Sequence, residues 1–405
     1  MAIATPRGAI VAPDAAVSRF TDGELSTLVC LRRQLHRHPE LSWKEYATSD
    51  RLAELLASLG CEVQRVANTG VVARVRGRDA GAPVVAVRGD IDALPIQEAS
   101  GLDFSSAVPG VMHACGHDVH AAWAVGAAME LCRKPAAGDV LVILQPAEEV
   151  GAGAAAVLAS GVLDSVRAIF GGHVDRRFDL GQVIAQAGPL AASADAFTIE
   201  LVGRGAHGAR PHEAADPIVA AAALITALQT IVARRIDPAA AAVCTVGSVH
   251  AGVASNVIPE RAILTGTLRA MDAHTRATLC EELERIATSV ASAYGVRARV
   301  DVEHGTPPIV NPERESRWAS AAARAVLGDD AVVPFGITNM GGEDFAFYQE
   351  RIPGCFLRFG AREPGGETIA AHSSRFYAAE GVIFVGAAVL AECCRVASEA
   401  LATSR

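Results

Sequence analysis

Side chains that bind metal ions are concentrated between His113 and His120, where three histidines, one cysteine and one aspartate fall within eight residues. Cys115 and His117 are two positions apart, so in an extended segment both side chains leave the same face. A thiolate and an imidazole on one face suit a borderline metal such as Zn²⁺, Mn²⁺ or Co²⁺. The alternative is a helix start with Asp118 as its cap and incidental histidines, which a single Cys-Gly-His match does not exclude.

Other metal-binding side chains follow short apolar runs at residues 83–89, 139–144 and 166–171, which predict strands buried on both faces of a parallel sheet. Five candidates come after these strands: Asp90, Asp92, Glu148, Glu149 and His173. Open α/β sheets bind ligands outside the carboxyl ends of their strands. The sequence therefore predicts one site that gathers these side chains.

The adjacent acids Glu148 and Glu149 suggest a division of labour, because neighbouring side chains on a loop or strand point apart. One can bind metal while the other faces a bound water. Two metals held by a shared ligand would lower the pKa of a bridging water and polarise a carbonyl. The free carboxylate would then act as general base and return the proton to a leaving amine. The alternative is a solvated pair in the first turn of a helix, where acids favour the dipole.

The length of 405 residues predicts two domains. The pattern of strands and helices changes near Ala192, and the pattern of the first part resumes after Pro308. The intervening segment reads as strand, helix, strand, strand, helix and strand, at residues 195–202, 214–235, 241–249, 262–268, 275–293 and 296–303. This order is that of the split βαβ, ferredoxin-like unit, here inserted into an α/β domain.

Composition excludes several classes of partner. The net charge of -9 argues against nucleic acid or an anionic membrane surface. The longest apolar stretch, residues 218–233, contains Thr226, Gln229 and Thr230 and predicts a buried helix, not a membrane span. Nine irregularly spaced cysteines form no disulfide framework and predict a reducing, cytoplasmic location.

Five motifs occur together in this chain: residues 88–95 (Arg-Gly-Asp-Ile-Asp-Ala-Leu-Pro), 112–118 (Met-His-Ala-Cys-Gly-His-Asp), 145–149 (Gln-Pro-Ala-Glu-Glu), 172–173 (Gly-His) and 341–345 (Gly-Gly-Glu-Asp-Phe). They resemble the hippurate hydrolase and indole-acetyl-amino-acid hydrolase branch of the aminoacylase/carboxypeptidase-type dinuclear metallohydrolases. The resemblance runs from about His36 to the last helix. The wider family has histidine where Asp90 stands and aspartate where Cys115 stands, and this branch has the pattern seen here.

The resemblance implies a zinc-exopeptidase-like α/β catalytic domain with a mixed, mostly parallel sheet, interrupted by a ferredoxin-like α+β lid and dimerisation domain. We predict a catalytic domain at residues 17–192 and 307–405 and the lid at residues 193–306. The resemblance also implies two divalent ions per subunit, chosen from Zn²⁺, Mn²⁺, Co²⁺ and Ni²⁺. The implied ligands are Cys115 (bridging), His117, Glu149, His173 and His372. Glu148 is the implied general base, and Asp92 orients the metal site.

Four residues of the second half resemble family positions that contact the substrate. His207 matches a lid histidine that can hydrogen-bond the tetrahedral oxyanion, in several relatives from the partner subunit. Asn256 and Arg269 match positions that hold the substrate carboxylate, for which arginine suits bidentate recognition. Gly342 is the implied substrate-binding residue of the glycine-rich motif. The alternatives are a surface histidine, a turn residue and a solvated charge at a strand end.

The predicted function is a metal-dependent amidohydrolase that cleaves N-acyl amino acids, hippurate-like or with other acyl groups, to a carboxylic acid and a free amino acid. It is expected to act as a homodimer formed through the lid domain. A dinuclear metallo-carboxypeptidase or dipeptidase, or an N-acetyl-amino-acid deacetylase, is the alternative within the family. Two further alternatives are an enzyme with Cys115 as nucleophile, paired with His117 or His113, and a catalytically silent metal-binding relative.

Overall fold

The computed structural model describes residues 11–403, which contain ten α-helices and fifteen β-strands. The helices are α1 (Asp14–Val17), α2 (Asp22–Arg37), α3 (Tyr46–Ser58), α4 (His117–Arg133), α5 (Gly153–Ala159), α6 (Pro217–Arg234), α7 (Ala273–Ala293), α8 (Glu313–Leu327), α9 (Phe345–Gln349) and α10 (Val382–Thr403). The strands are β1 (Glu62–Val66), β2 (Gly70–Val75), β3 (Val84–Asp90), β4 (Val140–Gln145), β5 (Val166–Asp179), β6 (Val183–Ile184), β7 (Gly188–Ala191), β8 (Ala194–Val202), β9 (Ala206–His207), β10 (Ala242–Ala251), β11 (Val257–Ile258), β12 (Arg261–Ala270), β13 (Arg297–Thr306), β14 (Ile309–Asn311) and β15 (Gly354–Arg362).

The chain divides into two compact units. The first unit comprises the described residues up to Gly188, together with Asn311–Gly336 and the residues from Phe347 onwards. The second unit comprises Pro189–Val310 and Ile337–Ala346. In sequence, the second unit thus interrupts the first.

A seven-stranded sheet forms the centre of the first unit, in the order β1-β2-β4-β3-β5-β15-β6. The four strands β4, β3, β5 and β15 are parallel, and β1, β2 and β6 are antiparallel to their neighbours. The predicted mixed, mostly parallel sheet is confirmed. Every residue of β4, and all but the first of β3, is buried, as the apolar runs predict for strands covered on both faces.

Helices α4 and α10 pack together against this sheet, and small residues allow their close approach. A Cβ atom at Gly386 of α10 would lie 2.3 Å from Cε3 of Trp123, and one at Gly126 of α4 would lie 2.7 Å from Cβ of Ala387. Larger residues at either glycine would push the helices apart. This contact matters for the site because α4 begins at His117.

The second unit contains a four-stranded antiparallel sheet in the order β10-β12-β8-β13, with α6 and α7 packed against it. Its elements follow the order β-α-β-β-α-β, so the predicted ferredoxin-like unit is confirmed. A short pair of strands, β9 and β11, is added to it.

The helix predicted at residues 218–233 forms as α6, but the prediction that it is buried holds for only one of its faces. Its buried residues recur at helical spacing at Ala220, Leu224, Leu228 and Ile231, while the opposite face is open. By length and composition alone α6 could cross a membrane, and 33% of its apolar window is buried. The one-sided burial instead matches an amphipathic helix that covers a sheet.

Candidate metal centre

A glycine turn at the start of α4 separates Cys115 from His117. Gly116 has φ of +93°, and a Cβ atom there would lie 2.5 Å from Cγ2 of Val174, so both backbone conformation and space require glycine. His117 is the first residue of α4, and Gly116, not Asp118, is its N-cap residue. The run is therefore a helix start, as the alternative interpretation proposed, but the prediction that Asp118 caps it is wrong.

The structure brings together all five side chains predicted as metal ligands. Sγ of Cys115 lies 3.1 Å from Nε2 of His173. Nε2 of His117 lies 3.9 Å from Oε1 of Glu149, and Oε2 of Glu149 lies 3.4 Å from Nε2 of His372. His173 lies within β5, not beyond it as predicted, because β5 continues to Asp179. His372 lies in the loop before α10. The backbone N–H of His372 donates a hydrogen bond to the carbonyl oxygen of Ala114, which fixes the position of this loop.

Two buried polar atoms in this cluster, Nε2 of His117 and Oε1 of Glu149, have no hydrogen-bond partner among the described residues. Such atoms carry a free-energy penalty unless a ligand satisfies them. Nδ1 of His117 faces the carbonyl oxygen of Asp92 at 3.0 Å and its Oδ1 at 3.1 Å, so Nδ1 carries the proton. In the neutral form of His117 the lone pair of Nε2 therefore points into the cluster, as a metal ligand requires.

Asp92 positions two members of the cluster at once. Its Oδ1 accepts from His117, and its Oδ2 accepts from the backbone N–H of Glu149 at 3.0 Å and from Oγ of Ser42 at 2.7 Å. A carboxylate that fixes the tautomer of a ligating histidine is a common outer partner of metal sites. This geometry fits the orienting role predicted for Asp92.

His120 and Asp90 support the cluster through buried hydrogen bonds. Nδ1 of His120 donates to Oδ1 of Asp90 at 2.6 Å, and Nε2 accepts from the backbone N–H of Val174 at 3.1 Å. Asp90 also forms a buried ion pair with Arg88. The role of His120 was not predicted, although its position three residues after His117 places both rings on one face of α4.

Burial and charge determine the protonation of the cluster. Burial raises the pKa of Glu149 to about 7. Burial and the Glu149 carboxylate raise the pKa of the Cys115 thiol well above its usual range. A nucleophilic cysteine needs a lowered pKa, so the protein environment alone does not favour Cys115 as nucleophile. A bound divalent cation would favour the deprotonated forms of both groups.

A buried network beside α4 anchors the segment that carries Cys115 and His117. Oδ2 of Asp118 accepts from Nε of Arg32 at 2.7 Å and from Nδ1 of His36 at 2.9 Å. Nε2 of His36 lies 3.1 Å from Oε1 of Glu98. Although burial lowers the pKa of His36, the interaction with Asp118 raises it overall. Both ring nitrogens of His36 thus have partners in this network, which gives His36 a structural role.

The four predicted substrate-contacting residues lie in the second unit, in two pairs. The backbone N–H of Gly208, next to His207, donates to the carbonyl oxygen of Asn256 at 2.7 Å. A Cβ atom at Gly342 would lie 3.7 Å from Nη1 of Arg269. Thus His207 lies near Asn256, and Arg269 lies near Gly342.

A second group of possible metal ligands, Asp195, Cys280 and His304, also lies in the second unit. Both carboxylate oxygens of Asp195 already accept from Arg276, at 2.6 and 2.9 Å. A bidentate arginine satisfies this carboxylate and repels a cation. The group is therefore a poor metal site.

Comparison with known proteins places the chain in a family. Residues 86–395 match peptidase family M20/M25/M40. The chain belongs to this family. The M20 chain is 43% identical to the N-acetylcysteine deacetylase of Bacillus subtilis (strain 168) over 337 residues, which cover 82% of this chain and 88% of that protein. It is 37% identical to thermostable carboxypeptidase 2 of Saccharolobus solfataricus over 89% of this chain and 92% of that protein.

A solved structure supports the same assignment. A Bacillus subtilis protein described as a dinuclear metal binding peptidase from the M20 family is 38% identical, with a TM-score of 0.83 over 94% of this chain and 99% of that one. The M20 chain is therefore a hydrolase of the amidohydrolase and peptidase type, as predicted. The family level of the predicted resemblance is confirmed, whereas these relatives do not distinguish the hippurate hydrolase branch.

Proposed function

We propose that this M20 hydrolase cleaves the amide bond of N-acyl amino acids, giving a carboxylic acid and a free amino acid, with two divalent metal ions per subunit. The observation that carries the proposal is the pair of buried atoms without partners, Nε2 of His117 and Oε1 of Glu149, among further ligand-type side chains. Zn²⁺, Mn²⁺, Co²⁺ and Ni²⁺ all accept this mixture of sulfur, nitrogen and oxygen donors.

The donor set fits two ions that share one ligand. Cys115, His117 and His173 form one group whose ligand atoms lie within 4.8 Å of one another, and Cys115, Glu149 and His372 form another. Cys115 belongs to both groups, which supports its assignment as the bridging thiolate. When bound, such ions lower the pKa of a water molecule and polarise the substrate carbonyl.

Glu148 is the proposed general base. Its Oε2 lies 3.9 Å from Nε2 of His117, so its carboxylate reaches the same space as the ligands. A carboxylate oxygen of Glu148 takes a proton from the attacking water and delivers it to the amide nitrogen as the C–N bond breaks, which yields the free amine. The backbone N–H of Glu149 donates to Asp92, and this contact keeps the Glu149 carboxylate among the proposed metal ligands.

The substrate carboxylate and oxyanion are proposed to be held by residues of the second unit. Arg269 offers a guanidinium for bidentate recognition of the carboxylate, with Asn256 and Gly342 as further contacts. The backbone N–H of Ala209 donates to Nδ1 of His207 at 3.1 Å, so Nε2 carries the proton and can donate to a developing oxyanion.

A substrate and metal panel tests this proposal. Hippurate, indole-acetyl, N-acetyl and dipeptide substrates are each assayed with the four metals, and N-acyl amino acids are expected to show the highest kcat/KM. The names of the deacetylase and carboxypeptidase relatives make an N-acetyl-amino-acid deacetylase or a carboxypeptidase the second candidate. A kcat/KM that is high only for N-acetyl substrates would favour the deacetylase, and preference for free dipeptides over every N-acyl amino acid would favour the carboxypeptidase.

Chelation separates the metal-dependent reaction from the remaining alternatives. Exhaustive chelation is expected to abolish turnover, and added metal to restore it. Activity that survives chelation but is lost on alkylation of the apoprotein would instead indicate Cys115 as nucleophile. A metal-loaded protein that is inert to the whole panel would indicate a silent relative.

We also propose a homodimer formed through the second unit. Nine large apolar side chains are exposed among the described residues of this unit: Ile218, Val219, Val249, Val253, Val257, Ile263, Tyr294, Val310 and Ile337. Exposed apolar side chains favour a protein interface, and β10 is an edge strand whose main chain can pair with another copy.

Light scattering should give the mass of two chains. Val249→Lys should weaken the dimer, whereas Tyr46→Lys at an exposed position of the first unit should not. A native monomer would contradict the proposal.

A further inference from the structure

Two cysteines with no part in the metal cluster lie side by side in the first unit. Sγ of Cys61 and Sγ of Cys132 are 3.9 Å apart, although the residues are separated by 71 positions in sequence. Cys61 is buried and follows Gly60, whose φ of +82° ends the α3 segment. Cys132 is exposed and is the penultimate residue of α4.

We propose that Cys61 and Cys132 form a redox-sensitive dithiol, which a low-molecular-weight disulfide converts into an intramolecular disulfide. A disulfide needs the sulfur atoms at roughly 2 Å, so the pair must close by about 1.9 Å. Both residues lie at the ends of helical segments, where rotation of the side chains and small shifts of the last turn can supply this movement. In the reducing cytoplasm that we predict for this chain, the pair stays reduced.

The thiols of Cys61 and Cys132 differ in exposure and pKa, as thiol–disulfide exchange requires. The hydrogen bond from Cys61 lowers the pKa of the exposed Cys132 to about 7, so much of it is thiolate at neutral pH. The hydrogen bond and burial raise the pKa of Cys61. An exposed thiolate is the group that attacks an external disulfide, and a neighbouring thiol resolves the product.

The exchange balances in two steps. The Cys132 thiolate attacks the external disulfide, forming a mixed disulfide and releasing one small thiolate. The sulfur of Cys61 then attacks Sγ of Cys132, losing its proton and expelling the second small thiolate. Two protein thiols are oxidised, and one external disulfide is reduced to two thiols.

The Cys61–Cys132 disulfide is expected to raise thermal stability without changing turnover. Cys132 lies 15 residues along α4 from His117, which is roughly 22 Å of helix. The bond would close a loop that contains β1, β2 and β3, and it should raise the midpoint of thermal unfolding by roughly 5 °C or more.

The test uses the metal-loaded enzyme treated with oxidised glutathione at pH 7. Peptide mapping should show Cys61 joined to Cys132, a loss of two hydrogen atoms in mass, a higher unfolding midpoint and unchanged kcat/KM. Cys61→Ser should instead keep a glutathione adduct on Cys132 and show no thermal shift. Cys30→Ser removes an exposed cysteine with no cysteine contact among residues 11–403 and should behave as the native chain.

Three results would overturn the inference. One is a stable glutathione adduct on Cys132 of the native chain. Another is full alkylation of both Cys61 and Cys132 after treatment. The third is an unfolding midpoint that does not change although the bond has formed.

Discussion

At the scale of single residues, Glu148 and Glu149 are neighbours in sequence with different constraints. The backbone of Glu149 is fixed by Asp92, and its Oε2 faces His372. Oε2 of Glu148 lies 3.9 Å from Nε2 of His117. The proposed mechanism uses the Glu149 carboxylate as a fixed ligand and the Glu148 carboxylate as a carrier of protons.

Glu148→Gln should keep both metal ions but lose most turnover. The amide fills the same space but accepts no proton, and general acid–base catalysis is typically worth about 10²–10⁴-fold in rate. Metal content by elemental analysis and kcat on an N-acyl amino acid measure the two effects. Near-normal turnover, or loss of metal, would contradict the division of labour between the two glutamates.

Cys115 should be protected from alkylation by bound metal. The proposed bridging role would require a thiolate that binds the metal ions, so Cys115→Ala should reduce metal content below the roughly two ions of a dinuclear site. Mass spectrometry after iodoacetamide treatment compares apo and metal-loaded protein, with exposed Cys30 as the internal control. Equal labelling of Cys115 in both forms would contradict its role as ligand.

Residue types and strand ends predicted part of the cluster, whereas His372 was implied only by the family resemblance. Cys115, His117 and His173 are uncommon donors at recognisable positions, and the structure places them together. His120 was missed because its role depends on Asp90 and on the backbone of β5, two partners that are distant in sequence. A role defined by a tertiary contact leaves no local pattern to read.

At the scale of elements, α3 holds the turn that carries the two glutamates. Glu45, the residue before α3, is fully buried, and its Oε1 accepts from the backbone N–H of Ala147 at 2.9 Å. Its Oε2 accepts from Oγ1 of Thr69 at 2.6 Å. Ala147 has φ of +55°, an unfavourable conformation for alanine that needs such support. Glu45 is thus a positioning residue for Glu148.

Glu45→Ala should lower kcat by roughly 10- to 100-fold, because small displacements of reacting groups reduce rates by such factors. It should also lower the free energy of unfolding by about 1–3 kcal/mol, since the N–H of Ala147 loses its buried partner. Glu45→Gln keeps an oxygen for Ala147 and should retain most activity. Kinetics and urea unfolding measure both effects, and equal losses in the two variants would argue against this role.

The elements themselves were predicted unevenly. Buried parallel strands and the ferredoxin-like unit follow from strong patterns of period two and 3.6. The hairpin of β1 and β2 was missed, since β1 at an exposed edge has only one buried residue, Val66. The predicted end of β5 was too early, because its last residues are polar and pair with β15. The predicted division at residues 17–192, 193–306 and 307–405 stays a prediction.

At the scale of the molecule, substrate recognition is expected to depend on the second unit as well as on the metal centre. Arg269→Ala should raise KM strongly for substrates with a free carboxylate and little for the matching amides, because only the former use a bidentate contact. Steady-state kinetics on both series measure the difference. Arg261→Ala removes another arginine of β12, one that pairs with Glu200, and serves as the control. Equal effects of Arg269→Ala on acids and amides would contradict the assignment.

The strand order of the first unit has a consequence for synthesis on the ribosome. Strand β15 lies between β5 and β6 in the sheet, yet about 175 residues separate the end of β5 from the start of β15 in sequence. At 5–20 residues per second, the edge of β5 stays unpaired for on the order of 10–35 s while the second unit is made. An unpaired, apolar strand edge is a site of aggregation. Chains stalled before Gly354 should therefore bind chaperones that capture exposed strands, and synthesis of β15 and the buried α10 should release them.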